Sequence, residues 1–260
     1  MHWAGEQSTL DELRARISVH ERSGAYRLRG RSVLFGMPPV DRHLPGNGLA
    51  LGALHEVAGT GPDVEHAAAA TLFAAGVLAR RSGPVLWALE RRDVFAPGLS
   101  GVGLHPDRVV YVEARRPKAV LLVMEEALRH PGLAGVVGEL GGCLTLTASR
   151  RLQLAAEASG GLAVLLRRSP RHDDPVLDEP TAAVTRWRVT CLPAGPARPQ
   201  APDVPGLARA RWRLDLVRCR GGEAASWTVE ACDAQGRLGM AADVADGQAA
   251  TARGRLRAAG

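Results

Sequence analysis

The chain has 260 residues, a formal net charge of +6 and 46% hydrophobic residues. This length suits one large α/β domain with extensions, and the composition is that of a globular protein. No run of about 18 apolar residues predicts a membrane span, and the charged start MHWAGEQSTLDELRARIS differs from a signal peptide, so we expect a cytoplasmic protein. The four cysteines are widely spaced and form no C-x-x-C pair, which predicts free thiols and no metal site.

The first two thirds of the chain alternate between strand and helix patterns. Apolar residues at helical spacing predict a helix at 9–21, within an N-terminal extension of residues 1–30. A Gly- and Pro-rich lead-in then reaches a short strand at 54–58 and a long Ala-rich helix at 64–81. Further apolar strands follow at 84–90, 108–114, 132–140 and 162–168, with helices at 117–130 and 145–159. This alternation predicts an α/β fold with a mainly parallel sheet flanked by helices.

The pattern changes after residue 168. A polar loop is expected at 168–182 and a strand at 184–192, followed by a Pro-rich linker at 193–206. Residues 208–220 and 225–233 flank Gly221-Gly222 and predict a pair of C-terminal antiparallel strands. The composition of the last stretch predicts a disordered tail at 236–260, which leaves one core domain at 31–235.

The segment between the first core strand and the long helix has the layout of a phosphate-binding loop without its chemistry. Such a loop, G-x-x-x-x-G-K-[ST], holds phosphates with backbone N–H groups and a lysine. Here it reads Gly59-Thr60-Gly61-Pro62-Asp63-Val64-Glu65-His66, and the only lysine of the chain is Lys118. Asp63 and Glu65 would repel phosphate but suit a helix N-terminus. The sequence therefore predicts a degenerate loop, formed by Gly59, Gly61, Asp63, Glu65 and His66, with no bound cofactor and no catalytic residue.

Two stretches, GMPPVDRHLPGNGLALGALHEV and WRLDLVRCRGGEAASW, resemble in their order and spacing the ImuA family of RecA-like proteins. The resemblance covers about residues 30–235 and implies a RecA-like core. It also implies work beside ImuB and an error-prone polymerase in the SOS response to DNA damage, in translesion synthesis and mutagenesis. RecA itself, DNA and a second copy of the chain stay open as further partners. A divergent nucleotide-binding ATPase and a SulA-like cell-division inhibitor stay open as alternative functions.

The resemblance also marks positions for two acids and two arginine groups. Glu90 falls where a RecA-like ATPase carries its water-activating glutamate, and Glu139 falls at the place of the acid beside Mg²⁺; we interpret both as structural. The arginine groups are candidates for nucleic-acid or partner binding, with an ordinary solvated surface as the alternative. The first is Arg167, Arg168 and Arg171, where RecA places DNA-binding loops, and the second is Arg209, Arg211 and Arg213 with Trp212.

Overall fold

A mixed sheet of nine strands forms the centre of the computed structural model, which describes residues 32–196, 206 and 208–241. A separate hairpin pairs β1 (Ser32–Val33) with β2 (Leu49–Ala50). The strands of the large sheet are β3 (Ala53–Gly59), β4 (Val85–Leu89), β5 (Val109–Glu113), β6 (Gly135–Gly141), β7 (Leu162–Arg168), β8 (Thr185–Leu192), β9 (Arg211–Cys219), β10 (Ala225–Glu230) and β11 (Gly239–Met240).

The strand order across the sheet is β11-β10-β9-β8-β3-β7-β6-β4-β5. Pairs among β3 to β8 are parallel, whereas β9, β10 and β11 each pair antiparallel. β3 lies in the middle with both faces covered, and all seven of its residues are buried. The predicted α/β fold with C-terminal antiparallel strands is confirmed.

The helices are α1 (Pro38–Asp41), α2 (Asp63–Ala79), α3 (Ala96–Ser100), α4 (Pro117–Leu128) and α5 (Leu146–Ser159). α2 packs on one face of the sheet, where Phe73 contacts Trp187 with ring centroids 5.6 Å apart. α4 and α5 pack on the other face, around Met124 and Leu152. Within the described ranges, no helix combines the length and the hydropathy needed to cross a membrane.

The expected ends of the core differ from the structure at one side. β11 (Gly239–Met240) pairs with β10, so two residues of the stretch 236–241, expected to begin a disordered tail, extend the sheet instead. The sequence pattern did not predict β11 because a strand of two residues is too short to show alternation of polar and apolar residues. The predicted helix at 9–21 and the rest of the predicted tail lie outside the described residues.

Candidate functional site at the carboxyl edge of the parallel strands

The loop at 60–62 is too short to bind a phosphate, and backbone N–H groups at its two ends already donate hydrogen bonds to other parts of the chain. β3 ends at Gly59 and α2 begins at Asp63, so only three residues connect them. The N–H of Thr60 donates to Val189 O at 3.2 Å, and the N–H of Asp63 donates to Ser169 O at 2.8 Å. Pro62 has no N–H to offer. A phosphate loop needs several free amides directed at one anion, and here backbone carbonyls bind these two.

The two glycines of the loop serve close packing of α2. A Cβ at Gly59 would lie 2.6 Å from the Cβ of His66, and a Cβ at Gly61 would lie 3.0 Å from His172 Nδ1. His66 also accepts the N–H of Cys191 at 3.3 Å and has Glu65 at 3.6 Å. The structure thus brings the predicted loop residues together around a histidine side chain and leaves no room for a ligand at Gly59.

Arg168 and Glu139 form an ion pair at the carboxyl ends of β7 and β6, where a RecA-like ATPase would hold Mg²⁺ and the phosphates of a nucleotide. Arg168 donates from Nε and Nη2 to Glu139 Oε2 at 2.8 and 2.6 Å, and Nη2 also donates to Thr71 Oγ1 at 2.9 Å. Glu139 is buried, and its Oε1 accepts the indole N–H of Trp87 at 2.7 Å. Both oxygens of the acid expected beside Mg²⁺ are therefore bound by protein donors.

Glu90 and Asp63 are two further acids at this edge. Glu90 Oε1 accepts the N–H of Gly141 at 2.9 Å and so ties the end of β4 to the end of β6. Burial raises the pKa of the Asp63 carboxyl, and the hydrogen bond from Ser169 and the charge of Arg168 act in the opposite direction. Among the described residues, no group of three or more His, Cys, Asp or Glu has a geometry that could hold a metal ion.

A cavity of about 500 Å³ opens beside these acids, between the first half of α2 and the segment that leads into α3. Leu72, Val94 and Leu99 belong to its apolar lining, and Asp63, Arg91, Asp93 and Arg168 supply its charges. A smaller cavity of about 120 Å³ adjoins it through Arg91, Asp93 and Arg168 and reaches Glu90 and Glu139. Pockets of this size at the carboxyl ends of parallel strands are common ligand sites.

Of the first arginine group, only Arg171 is presented to solvent as the prediction requires. Arg167 is 2% exposed, and its Nη2 donates to Gly142 O at 2.6 Å. Arg168 is held by Glu139. Arg171 is exposed, and its backbone N–H donates to Ser169 Oγ at 3.2 Å.

Arg167 belongs to a buried cluster around Glu56 that sequence reasoning missed. The parallel register places Glu56 beside Arg186, whose Nε lies 3.3 Å from Glu56 Oε1. Arg188 and Arg167 each place an Nη1 at 3.9 Å from the same oxygen. Burial lowers the pKa of Arg167 and of Arg188, while the Glu56 charge raises both. An acid inside an otherwise apolar strand, with arginines alternating in RWR, was the available signal.

The same arginines fasten the loop that was expected at 168–182. Arg186 donates to Glu179 O, and Arg188 donates to Leu177 O. Residues Pro175–Leu177 form a short 3-10 turn, and Leu177 is buried. This part of the chain is therefore a covering segment over buried guanidinium groups.

The second arginine group lies at the antiparallel end of the sheet and is partly exposed. Arg213 is exposed and pairs with Asp215 at 3.0 Å, and Arg209 pairs with Glu230 at 3.3 Å. Arg211 is half-buried, and Trp212 is 2% exposed on the opposite side of the strand. Trp212 packs in the core and does not present its ring to a base in this structure.

Comparisons with known proteins agree on one family and one fold. No family model matches the chain. Protein ImuA of Caulobacter vibrioides (strain NA1000 / CB15N) is 41% identical over 208 residues, 77% of this chain and 83% of that protein, and Protein ImuA of strain ATCC 19089 / CIP 103742 / CB 15 gives the same values. The crystal structure of the RadB recombinase matches with a TM-score of 0.57 at 16% identity, covering 81% of this chain and 100% of RadB. The RadB match shows the fold alone and confirms the expected RecA-like core.

Proposed function

The chain belongs to the ImuA family, and we propose that it is a non-catalytic, cytoplasmic accessory protein of DNA-damage-induced translesion synthesis. In this role it connects ImuB with an error-prone polymerase during the SOS response and supports mutagenesis. Membership of the ImuA family supports the proposed process. The geometry of the site supports the proposal that the protein is not a catalyst. In this proposal the protein acts by binding partners through its surface, and not through a reaction centre.

The observation that carries the non-catalytic part is the Arg168–Glu139 ion pair. In phosphoryl transfer, a lysine holds the phosphates and an acid helps to hold Mg²⁺. Here the cation and the acid neutralise each other at 2.6 Å, and Trp87 takes the second carboxylate oxygen. Nucleotide binding would have to break this pair and supply new partners for both charges, and a buried charge left without a partner costs roughly 3–5 kcal/mol.

One observation favours a second candidate, a divergent nucleotide-binding protein of RecA-like fold. The 500 Å³ cavity beside α2 is large enough for a base and a sugar. A ligand at 100 times its Kd would stabilise the protein by about 2.7 kcal/mol. We expect no such stabilisation by ATP-Mg²⁺ in thermal unfolding, because Arg168 is already paired with Glu139 and the loop at 59–66 has no lysine.

The exposed side of β9 is the proposed surface for ImuB, for nucleic acid or for another partner. Arg211 and Arg213 point to the same side of the strand, and Arg213 is the more exposed of the two. Arg171 is a further accessible cation, and it lies near the start of the loop that connects β7 to β8. Neighbouring surface arginines increase the rate at which a negatively charged partner associates, and they form contacts with its phosphate or carboxylate groups.

The test is size-exclusion chromatography with light scattering of this chain alone and mixed with ImuB from the same genome. Each sample is run with and without ATP-Mg²⁺. We expect a complex whose mass does not depend on nucleotide, and Arg211→Glu with Arg213→Glu should weaken it. The control is Arg150→Glu, an exposed arginine on α5. A complex that forms only with ATP-Mg²⁺ would overturn the non-catalytic proposal.

A further inference from the structure

Two adjoining cavities form a groove between α4 and α5 on the solvent side of these helices. The smaller cavity, of about 270 Å³, is lined by Lys118 and Ala148 near the starts of the two helices. The larger cavity, of about 500 Å³, is lined by Arg129 and Ser159 at their ends. The helices therefore run side by side in the same direction. From Lys118 to Arg129 the groove is about 16 Å long at a rise of ~1.5 Å per residue, which is the length of three helical turns.

Leucine side chains remain exposed along this groove. Leu122 lines the smaller cavity and is 58% exposed, and Leu154 lines the larger one and is 48% exposed. Other residues of the same helices, such as Met124 and Ala156, pack in the core against the sheet. Each helix thus has apolar side chains on two sides, one of them in solvent. Single exposed leucines are ordinary, but leucines that line joined cavities mark an interaction surface.

The charged side chains of the groove are mostly cations. Lys118, Arg129 and Arg151 line the two cavities, against one carboxylate, that of Glu125. Glu125 lies 2.7 Å from Arg151 and 3.6 Å from Arg129, and Arg129 also pairs with Glu126 at 3.0 Å. Lys118 takes part in none of the ion pairs found among the described residues. Even with Glu126 counted, the groove keeps an excess of positive charge, and the unpaired cation is Lys118.

The starts of both helices add to the charge at this end of the groove. A helix N-terminus carries about half a positive charge, and the N-termini of α4 and α5 lie together at the Lys118 end. Arg116, which immediately precedes α4, is exposed there as well. The groove therefore complements an apolar segment that carries acidic residues.

We propose that this groove binds an amphipathic helix of another protein, about three turns long, with leucine-like side chains on one face and acidic side chains beside them. Its apolar side chains cover Leu122 and Leu154, and its carboxylates contact Lys118 and the exposed part of Arg151. Helices bind such grooves through apolar residues at the i, i+4 and i+7 positions. This surface is separate from the arginines of β9, so it goes beyond the proposed function and does not depend on it.

The probe is a synthetic helical peptide of about 14 residues, held helical by a lactam bridge, with leucines at the i, i+4 and i+7 positions and glutamates beside them. A matched peptide has lysine at each glutamate position. Fluorescence anisotropy with the full chain in 50 mM salt should give at least about tenfold higher affinity for the glutamate peptide. In about 1 M salt, where the Debye length is ~3 Å, the ratio should fall to about twofold. Failure of the glutamate peptide to bind, or equal binding of the two peptides, overturns the proposal.

Variants of the chain locate the bound peptide. Leu154→Asp and Lys118→Glu should each weaken binding of the glutamate peptide by about tenfold. The matched controls are Leu146→Asp and Arg150→Glu, which change an exposed leucine and an exposed arginine of α5 that line neither cavity. The controls should stay within about twofold of the natural chain. An equal loss in a variant and its control would show that the peptide binds the basic surface in general, and not this groove.

Two measurements on the chain without peptide complete the test. Urea midpoints should be nearly the same for Leu154→Asp and Leu146→Asp, because both leucines are about half exposed. Light scattering tests a second copy of the chain as the occupant. A dimer that Leu154→Asp dissociates and Leu146→Asp does not would place a second copy in the groove, and it would overturn the proposal of an acidic helix from another protein.

Discussion

Replacing Glu56 with glutamine should remove a large part of the stability of this domain. Glu56 is fully buried, with Oε1 at 3.3 Å from Arg186 Nε and at 3.9 Å from Nη1 of both Arg167 and Arg188. Among the described residues, Arg167 Nη1 and Arg186 Nε have no hydrogen-bond partner, so the carboxylate charge is what they face. Glu56→Gln keeps the shape and removes that charge.

The expected loss follows from the burial of three guanidinium groups. At about 4 Å, one ion pair contributes roughly 4 kcal/mol of Coulomb attraction at an effective dielectric constant of ~20, before desolvation is subtracted. Removing one partner of a buried pair and leaving the other charge costs about 3–5 kcal/mol in the free energy of unfolding. Domains are stable by only about 5–15 kcal/mol in total, so the variant should be close to unfolding at 37 °C.

Urea unfolding followed by circular dichroism measures the effect, and we expect a fall of at least about 1 M in the urea midpoint. The matched control is Glu126→Gln, which breaks an ion pair to Arg129 whose side chains are 65% and 64% exposed. Exposed pairs contribute about 0–1 kcal/mol. If Glu56→Gln cost no more than this control, the three arginines would not depend on Glu56, and the electrostatic account of the cluster would be wrong.

Three further predictions follow from buried groups. Burial lowers the pKa of His55 to about 4 from 6.5, so the unfolded chain binds the extra proton first, and about 3 kcal/mol of stability should be lost as the pH falls from 6.5 to 4. Urea midpoints at pH 7 and 5 should show about 2 kcal/mol of this loss, and His55→Gln should remove it. Gly76→Ala places a Cβ 2.4 Å from Cys232 Sγ and should cost about 1–3 kcal/mol despite the better helix propensity of alanine, with part of the loss recovered by Cys232→Ala in thermal unfolding. The exposed thiols of Cys143 and Cys191 should react with a thiol reagent at pH 8 before the buried thiol of Cys232 does. A hydrogen bond with Glu179 raises the pKa of Cys143 and burial raises that of Cys191, which slows both, but burial raises the pKa of Cys232 to about 11 and should keep that thiol unreactive until unfolding.

The sequence was most informative where one local pattern decides one local structure. Apolar runs such as 84–90 and 162–168 gave buried parallel strands, observed as β4 and β7. The absence of a loop lysine was visible directly in the letters. The resemblance to the ImuA family likewise depended on motif order, and the 41% identity to Protein ImuA confirms it.

The role of individual charged residues was much less accessible. Arg167 and Arg168 are neighbours in sequence and were assigned to one exposed group, but successive residues of a strand point to opposite faces. Arg167 therefore faces Glu56 beneath the loop at 175–181, and Arg168 faces Glu139 beside α2. Trp212 alternates in the same way, which places it in the core and its neighbour Arg213 in solvent.

The sequence by itself determined the class of fold, the family and the loss of the phosphate loop, because periodicity and residue identity are local properties. Only the tertiary structure decided which acid meets which arginine. The partners of Glu56 are 111 to 132 residues away along the chain, and they meet it only because β7 and β8 pair on either side of β3. Residues that are distant in sequence become neighbours through strand order, and strand order is a property of the whole sheet.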